Sequence, residues 1–338
     1  MAKQQFENQN ENAKIEIVCG SQGSGKSWTT IQFAEQYIEK TGLSCLIVDV
    51  KDEPVFRKYT TLYYDTNPEL DRATRANGKR YTRNGKVYLN GIAHANLPQI
   101  YRIVCRRLDG EDMTTDELVE MMITISKYYK NGLLVCEEMN SYFPRQIPDE
   151  FWSFFTNVRK SGVDVILHYQ RLGDAYPRVW GNAKKMRLHK TFDTASYPGT
   201  RTKLGDNFAL VKIAENIVNM YYKATVEPRE ALVASTDKSK AATNTILKRH
   251  NAKVGAVFFF CNIDFLRRKI YGAMPYNVFE QAVKQYLWDD NPMEYKKILN
   301  RSEGGVRLYA NEDDAIKHLI ETEYKPMFGG FTKEEKQD

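Results

Sequence analysis

The sequence predicts an α/β protein with a mainly parallel central sheet flanked by helices, followed by a smaller, mostly helical C-terminal extension. Short apolar runs alternate with segments of helical periodicity from residue 15 to residue 192. This alternation is typical of parallel sheets whose strands are connected by helices. One connection, at residues 20–27, is a glycine-rich loop that leads a strand directly into a helix. The chain has 338 residues, enough to bury a large core without disulfide bonds.

The glycine-rich loop reads G-S-Q-G-S-G-K-S and matches the pattern G-x-x-x-x-G-K-[ST] in full. When such a loop joins a buried strand to a helix, backbone N–H groups and the helix N-terminus surround a phosphate chain. We therefore predict that the chain binds ATP, with Lys26 reaching the β- and γ-phosphates and Ser27 binding Mg²⁺. The residues predicted to contact the nucleotide are Gly20, Ser21, Gln22, Gly23, Ser24, Gly25, Lys26, Ser27 and Trp28.

A second buried strand is predicted at residues 43–50, ending at Asp49. Residues 64–95 interrupt the pattern because they are polar and rich in Asn, Arg and Gly. They include Asn84-Gly85, a turn signal between two short runs of strand-forming residues. We expect an inserted hairpin here, at the edge of the sheet, which then resumes at residues 100–105.

The next helix is predicted to begin at Thr114 or Thr115, either of which can cap it, with Glu117 in its first turn. Asn131-Gly132 ends this helix, and residues 133–136 form the following strand. Directly after that strand come two acids, Glu137 and Glu138.

This pair of acids predicts ATP hydrolysis. In ATPases with this loop, a strand adjacent to the loop strand delivers one carboxylate toward the Mg²⁺ and a second that polarises the attacking water. Glu137 stands in the first place and Glu138 in the second. The usual first residue is Asp, so the longer Glu137 side chain is expected to act on Mg²⁺ through water. The alternative is a pair of ordinary surface acids.

A polar amide ends the strand that follows. Residues 150–162 predict a helix closed by Gly162, and residues 163–170 predict a strand that ends at Gln170. Beside the acid-bearing strand, this glutamine is our candidate for sensing the γ-phosphate or the attacking water. Arg159 and Arg171 flank the strand, and each is a candidate arginine finger toward a nucleotide in a neighbouring subunit, with a plain surface position as the alternative.

The order of these units resembles a known superfamily. The phosphate loop is followed by V-D-V-K at residues 48–51, by L-L-V-C-E-E at residues 133–138, by Tyr-Phe-Pro at residues 142–144, and by N-V-R-K-S-G-V-D-V-I-L-H-Y-Q-R at residues 157–171. This arrangement is similar to the HerA/FtsK superfamily of DNA-translocating ATPases, a P-loop NTPase fold of the additional-strand class. The Tyr-Phe-Pro and R-x-x-G-strand-Q units resemble viral genome-packaging ATPases and zonula-occludens-toxin-like proteins of filamentous phages.

The resemblance covers residues 14–193 and implies several further properties. It implies a homo-oligomer, a hexameric ring, that moves DNA and docks on a viral capsid vertex or on phage assembly proteins. Toxin-like relatives usually carry a membrane span after the ATPase domain. Here the longest apolar run, residues 254–261, has eight residues, where a span needs about 20. This difference favours packaging. We expect the protein to lie in the host cytoplasm or attached to the virion, and not to be secreted.

The sequence leaves two alternative functions open. The chain can be a phage morphogenesis or export ATPase that acts through protein partners, with DNA irrelevant to its task. A small-molecule kinase is a weaker alternative, because the sequence has no arginine-rich lid beside a compact acceptor site, and the acids favour water as the nucleophile.

Charge is unevenly distributed along the chain. The formal net charge is +6, yet residues 181–271 carry 17 Lys/Arg and 7 Asp/Glu, so the remainder sums to −4. A basic region of this kind suits either a nucleic-acid partner or a solvated surface. The basic residues nearest the predicted sheet edge, which would contact phosphates if they faced a ring pore, are Lys184, Lys185, Arg187 and Lys190. For the aromatics Tyr221, Tyr222 and Phe258 to Phe260, burial is a better explanation than base stacking.

The remaining segments complete the predicted organisation. After a strand at residues 186–192, helical spacing recurs in three stretches, at residues 211–223, 276–288 and 312–324. The predicted divisions are a polar tail at 1–13 without a signal peptide, an ATPase core at 14–210, an extension at 211–331 and a charged tail at 332–338. The five cysteines show no paired spacing and are expected to be small core residues in a reducing compartment.

Overall fold

The structure is a computed structural model that describes residues 13–64, 81–82, 98–107, 110–143, 147–235, 259–303 and 306–330. Its contacts divide the chain into two compact units. Among the described residues, unit one comprises residues 13–18, 25–170 and 181–184, and unit two comprises residues 19–24, 171–180 and 185–330.

Unit one is built on a parallel sheet. Its strands are β1 (Ile15–Cys19), β2 (Cys45–Asp49), β3 (Thr60–Tyr64), β4 (Tyr81–Thr82), β5 (Ile100–Val104), β6 (Gly132–Cys136) and β7 (Val163–Tyr169). They lie in the order β1-β7-β6-β2-β5-β3-β4. The pairs β2–β5, β2–β6, β3–β4, β3–β5 and β6–β7 are all parallel. Strands β1, β2, β5 and β6 are buried along their whole length, as continuous apolar runs predict.

The helices of unit one lie between these strands in the chain. They are α1 (Lys26–Thr41), α2 (Thr115–Tyr128), α3 (Met139–Tyr142), α4 (Asp149–Thr156) and α5 (Val158–Ser161). Thr114, not Thr115, caps α2, because its hydroxyl accepts from the Glu117 N–H while the Glu117 carboxylate accepts from the Thr114 N–H. Gly162 ends α5 in the left-handed conformation that glycine adopts without strain, as predicted.

The strand order corrects one expectation. The acid-bearing strand β6 is not adjacent to the loop strand β1, because β7 lies between them. The apolar content of a strand does not show which strand lies next to β1, because β6 and β7 are both buried. A strand inserted between the loop strand and the acid strand is the defining feature of the additional-strand class. Unit one therefore has the P-loop NTPase fold of that class, as predicted.

Unit two combines a mixed sheet with most of the C-terminal helices. Its strands are β8 (Lys185–Leu188), β9 (Cys261–Asp264), β10 (Lys269–Tyr271), a small hairpin of β11 (Ser302–Glu303) and β12 (Val306–Arg307), and β13 (Phe328–Gly330). The order is β13-β10-β9-β8, with β8–β9 and β9–β10 antiparallel and β10–β13 parallel. Its helices are α6 (Pro177–Asn182), α7 (Pro198–Leu204), α8 (Phe208–Ser235), α9 (Tyr276–Asp289), α10 (Pro292–Leu299) and α11 (Glu312–Leu319). The predicted helical C-terminal part is confirmed.

Several predicted segments differ from the structure or lie outside it. Strand β8 ends at Leu188 instead of Phe192, because the next residues leave the sheet to bond the phosphate loop. Of the predicted hairpin, only Tyr81–Thr82 and the end of β3 are described, and those two segments pair in parallel. The tails at 1–12 and 331–338 and all of residues 236–258 lie outside the described residues.

The cysteines lie where the sequence predicts. All five cysteines are buried with free thiols, which confirms their prediction as core residues. Across the parts of the chain that the structure describes, no helix is both long and apolar enough to cross a membrane.

Candidate nucleotide-binding and hydrolysis site

The phosphate loop adopts backbone conformations that require its glycines. Gly23 and Gly25 have φ angles of 76° and 86°, in the left-handed region where a side chain is strained. Gly25 is the N-cap of α1 and makes no side-chain cap. The first turn of α1 therefore presents backbone N–H groups without a side-chain acceptor at its start, which is the arrangement that binds phosphate.

Residues after β8 hold the first half of the loop. The N–H and the hydroxyl of Ser21 both donate to the Lys190 carbonyl, at 2.7 and 3.0 Å. The His189 N–H donates to the Cys19 carbonyl at 2.8 Å, and its ring Nδ1 lies 2.9 Å from the Ser24 carbonyl. The conformation of residues 19–24 is thus fixed by contacts within unit two. This role of Lys190 was not predicted, because a backbone carbonyl carries no signal in the sequence.

Three side chains in or directly after the loop differ in exposure. The Ser24 hydroxyl is buried without a protein hydrogen-bond partner, and Lys26 is also buried, at 8% exposure. Trp28, by contrast, is 51% exposed at the start of α1. An unpartnered buried hydroxyl costs free energy unless a ligand or water satisfies it. Ser24 therefore suits a polar ligand such as a phosphate.

The two predicted hydrolysis residues lie in direct contact. Gln170 follows β7, and its amide nitrogen donates to both carboxylate oxygens of Glu138, at 2.8 Å each. Glu138 follows β6, which pairs with β7 in parallel. The carboxyl ends of parallel neighbours meet at one edge of a sheet, and the structure brings the two side chains together there.

A lysine that the sequence analysis did not select also contacts Glu138. Lys51, just after β2, places its ammonium nitrogen 3.2 Å from Oε1 of Glu138. The Lys51 side chain is 47% exposed and lines a cavity of about 400 Å³ together with Val50 and Cys105. Lys51 therefore has room to leave the carboxylate.

Glu137 is buried in a polar chain that reaches the helix of the phosphate loop. One of its oxygens lies 2.9 Å from Nδ1 of His168, and Nε2 of His168 lies 2.9 Å from the Thr30 hydroxyl on α1. The other oxygen, Oε1, is buried without a protein hydrogen-bond partner. His168 was not predicted as a site residue. Its position in an apolar strand hid it, although a polar residue there is itself a signal.

Asp49 at the end of β2 is held by a second buried network. Both of its oxygens accept from the Glu53 N–H, at 3.0 and 3.1 Å, and Arg102 lies 3.2 Å away. Arg102 also donates to Asp52 at 2.6 Å. Burial raises the pKa of Asp49 to about 6, although the Glu53 N–H and the Arg102 guanidinium act in the opposite direction.

The two candidate arginine fingers occupy different positions. Arg159 lies on the short helix α5, and Arg171 lies directly after Gln170. Both side chains are exposed. An exposed side chain is compatible both with an arginine finger and with a plain surface position, so the assignment of a finger stays a prediction.

The predicted row of basic residues does not form as expected. Lys184 and Lys185 are exposed, but Arg187 is buried at 4% exposure and lies 5.9 Å from the Phe260 ring. Lys190 is half-buried and donates to Asn219 at 2.6 Å. Arg187 and Lys190 are therefore internal contacts of unit two rather than members of an open basic surface. Pairing with β9 buries Arg187, and no pattern local to β8 predicts that pairing.

The aromatics of this region are packed against each other. The rings of Tyr221 and Phe259 stack with centroids 3.9 Å apart and planes 7° apart, and Tyr222 lies under the Lys190 ammonium. Tyr221 and Phe259 therefore pack on each other, although both residues are only partly buried. Phe258 lies outside the described residues.

Comparison with known proteins gives structural likenesses only. No protein-family model matches this sequence, and no curated protein matches it. The chain is similar to the genome packaging NTPase B204 from Sulfolobus turreted icosahedral virus 2 in complex with ATP-gammaS, at 14% identity and a TM-score of 0.43, covering 78% of this chain and 98% of that one. It is also similar to the DNA-packaging ATPase B204 from Sulfolobus turreted icosahedral virus, at 13% identity and a TM-score of 0.40, covering 79% of this chain and 98% of that one. A KaiC-like protein from Pyrococcus horikoshii OT3 is 17% identical with a TM-score of 0.30, covering 52% of this chain and 71% of that one. Identity is 17% or lower in all three pairs, so no function is carried over from these proteins.

Proposed function

We propose that this chain is an ATP-hydrolysing motor that translocates DNA, of the kind that packages viral genomes. The observation that supports hydrolysis is the contact of Glu138 with Gln170 at the ends of neighbouring strands. The complete phosphate loop binds the nucleotide. In the additional-strand fold, β6, which ends before Glu138, lies beside β7, which ends before Gln170. A transferase acting on another substrate has no evident use for such a pair.

The residues present fit ATP with Mg²⁺. The unpartnered oxygen of Glu137 and the unpartnered hydroxyl of Ser24 are buried polar atoms that a hydrated cation and a phosphate would satisfy. Mg²⁺ typically takes one or two protein oxygens and completes its shell with phosphates and water. Ser27 and Glu137 would hold it, the latter through water. When bound, the cation neutralises charge that develops on the phosphates.

The chain's own residues then divide the remaining work. Lys26 binds phosphate oxygens, and the loop N–H groups orient the phosphate chain. Glu138 accepts a proton from the attacking water, which requires that at least one of its oxygens exchange a contact with Gln170 or Lys51 for a contact with water. Gln170, bonded to that carboxylate, orients the water and responds to the loss of the γ-phosphate. An arginine from a neighbouring subunit, Arg159 or Arg171, completes the site.

DNA as the translocated polymer is supported by charge and by resemblance. Residues 181–271 carry a net charge of +10, which favours a polyanion. Of the basic residues in the predicted row, Lys184 and Lys185 remain exposed. The proposed ring, its capsid or phage docking partner and its place in the host cytoplasm or on the virion follow from the sequence resemblance.

The test is ATP hydrolysis by the purified chain with and without DNA at low salt. We expect double- or single-stranded DNA to raise turnover, and the effect to decline steeply as salt rises. Lys26→Ala serves as the control for contaminating ATPases. A hydrolysis rate indifferent to DNA, with no DNA bound at low salt, would refute translocation and support an assembly ATPase acting through proteins. Transfer of phosphate to a small molecule would instead indicate a kinase.

A further inference from the structure

The turn between β9 and β10 carries consecutive cations at its tip. It reads Phe-Leu-Arg-Arg at residues 265–268 and is followed by Lys269, the first residue of β10. The side chains of Leu266, Arg267 and Arg268 are exposed, and that of Lys269 is partly exposed. Residues 265–269 include no acid. The tip of this hairpin is therefore a positively charged part of the surface.

The pairing of the strands places a fourth cation beside the turn. Asp264, the last residue of β9, pairs with Lys269 on β10 and with Lys185 on β8. Directly paired residues lie on the same face of a sheet, and because neighbouring strands are about 4.8 Å apart, the backbones of Lys185 and Lys269 are about 10 Å apart. We call Lys185, Arg267, Arg268 and Lys269 the turn cluster. All four residues belong to unit two.

The cations of the turn cluster are not used in ion pairs. Within the ranges that the structure describes, none of the four is paired with a carboxylate. Other cations of unit two are paired: Lys284 lies 2.5 Å from Asp313, and Lys325 lies 2.6 Å from Glu321. Unpaired like charges repel one another and attract an anion that bridges them. The turn cluster therefore remains available to an external anion.

Two acids lie close to the turn cluster without forming an ion pair with it. Asp264 is 9% exposed, and its carboxylate accepts from the backbone N–H of Arg267 at 2.9 Å. Asp206 contributes only its backbone carbonyl, which accepts from the Arg268 guanidinium at 3.4 and 3.5 Å. Even with both acids counted, the four cations leave this surface positive.

The backbone of the turn is held in place from below. Phe265 is 9% exposed, and its ring meets Trp180 edge-on, with centroids 6.3 Å apart. Arg268 has a φ of 52°, in the left-handed region that glycine or asparagine usually occupies in hairpin turns. Strained residues of this kind are common at functional positions. The arginines thus extend from an ordered backbone, which binding does not have to order again.

We propose that the turn cluster binds the sugar–phosphate backbone of DNA. A guanidinium can donate two parallel hydrogen bonds to one phosphate. One strand of a duplex advances about 3.4 Å per phosphate, so the span of about 10 Å between Lys185 and Lys269 matches about three successive phosphates. Leu266, which is 78% exposed beside the arginines, offers an apolar contact to the sugars. Because such contacts do not read base edges, we expect no preference for base sequence.

This inference rests on the proposed translocation of DNA and deepens it, because it names a surface that holds the DNA. The test is the binding of a short, fluorescently labelled duplex of random sequence to the full chain, measured by anisotropy over a range of salt concentrations. In the double variant Arg267→Gln with Arg268→Gln, we expect about tenfold weaker binding. The slope of log K against log salt should become less steep by about two, because two phosphate contacts are lost.

Two further variants separate contact with DNA from effects of net charge and of folding. Lys296→Gln with Lys297→Gln removes the same charge from two exposed neighbours on α10 in the same unit, and it should leave DNA binding almost unchanged. Arg268→Gly relieves the left-handed backbone, so its urea midpoint should equal or exceed that of the wild type while DNA binding weakens. ATP hydrolysis without DNA should be unchanged in all three variants.

The outcomes distinguish this inference from the proposed function. If the wild-type chain binds no DNA at low salt, the proposed function fails and this inference fails with it. If the wild-type chain binds DNA and the arginine variant binds it equally well, translocation stands and the turn cluster is not the contact surface. An equal loss in the arginine and lysine variants would indicate a general effect of net charge and would overturn the inference. So would a loss confined to binding of anionic phospholipid vesicles, which would identify a membrane contact.

Discussion

At the scale of single residues, Glu138 combines an unusual backbone with a fully engaged side chain. Its φ of 52° lies in the left-handed region, which costs a non-glycine residue about 1 to 2 kcal/mol. Its two oxygens are occupied by Gln170 and Lys51. Strained backbone at a functional position is a common feature of catalytic sites. The structure thus holds Glu138 in a defined but paired position, from which hydrolysis requires a local rearrangement.

Glu138→Gln should abolish ATP hydrolysis while ATP binding is retained. The amide keeps the size of the side chain but cannot accept a proton from water, so turnover should fall by about 10² to 10⁴. Steady-state hydrolysis and nucleotide titration measure the two properties separately. Lys26→Ala should weaken both. Retained turnover in Glu138→Gln would show that another group is the base.

His168→Ala should lower turnover through Glu137, because His168 lies between that carboxylate and Thr30. Loss of a group that orients a metal-binding carboxylate typically costs 10- to 100-fold, and we expect the Mg²⁺ concentration for half-maximal hydrolysis to rise. His168→Gln, which can still hydrogen-bond, should recover part of the activity. The exposed His318 supplies a control, His318→Ala. An unchanged Mg²⁺ dependence would contradict this positioning role.

The raised pKa of Asp49 predicts that the free energy of unfolding depends on pH. Burial raises its pKa to about 6 in the folded chain, above the value of about 4 expected when unfolded. As pH falls, the folded state therefore binds the proton first, and acidification from pH 7 to pH 4 stabilises the fold by about 2 kcal/mol at this site. Urea unfolding of the wild-type chain and Asp49→Asn should show their difference changing by that amount. A difference constant with pH would refute the raised pKa.

At the scale of elements, local capping determines where α2 begins. The reciprocal hydrogen bonds of Thr114 and Glu117 form a capping box, and Thr115 is the first helical residue. Thr114→Ala should lower the free energy of unfolding by about 1 kcal/mol, measured by the urea midpoint. Thr115→Ala should have a much smaller effect. Equal effects of the two substitutions would place the cap elsewhere.

The elements also show where sequence patterns succeed. Apolar runs predicted β2, β5, β6 and β7 to within two residues, because a strand buried on both faces must be apolar throughout. Strand β8 was predicted too long. Lys190 and Thr191 are compatible with a strand, but the Lys190 carbonyl accepts from Ser21 and the Thr191 hydroxyl donates to the Asp193 carbonyl. Such a bond between distant segments is not encoded in local periodicity.

At the scale of the whole molecule, the positive charge counted along residues 181–271 is only partly exposed in the structure. Of the net positive charge at residues 181–271, part lies outside the described residues, and Arg187 is buried within unit two. Charge counted along a sequence includes side chains that are used for internal packing. Lys184 and Lys185, which are exposed, are therefore positions at which the proposed DNA binding can be tested.

The sequence by itself determined the phosphate loop, the buried strands of unit one and the two residues, Glu138 and Gln170, that the structure joins. These features depend on local chemistry: glycine conformations, apolar runs and polar residues at strand ends. Only the tertiary structure decided that β7 separates β1 from β6, that His168 links Glu137 to α1, and that the Lys190 carbonyl accepts from Ser21. Each of these depends on contacts between residues far apart in the chain, whose pairing local patterns do not specify.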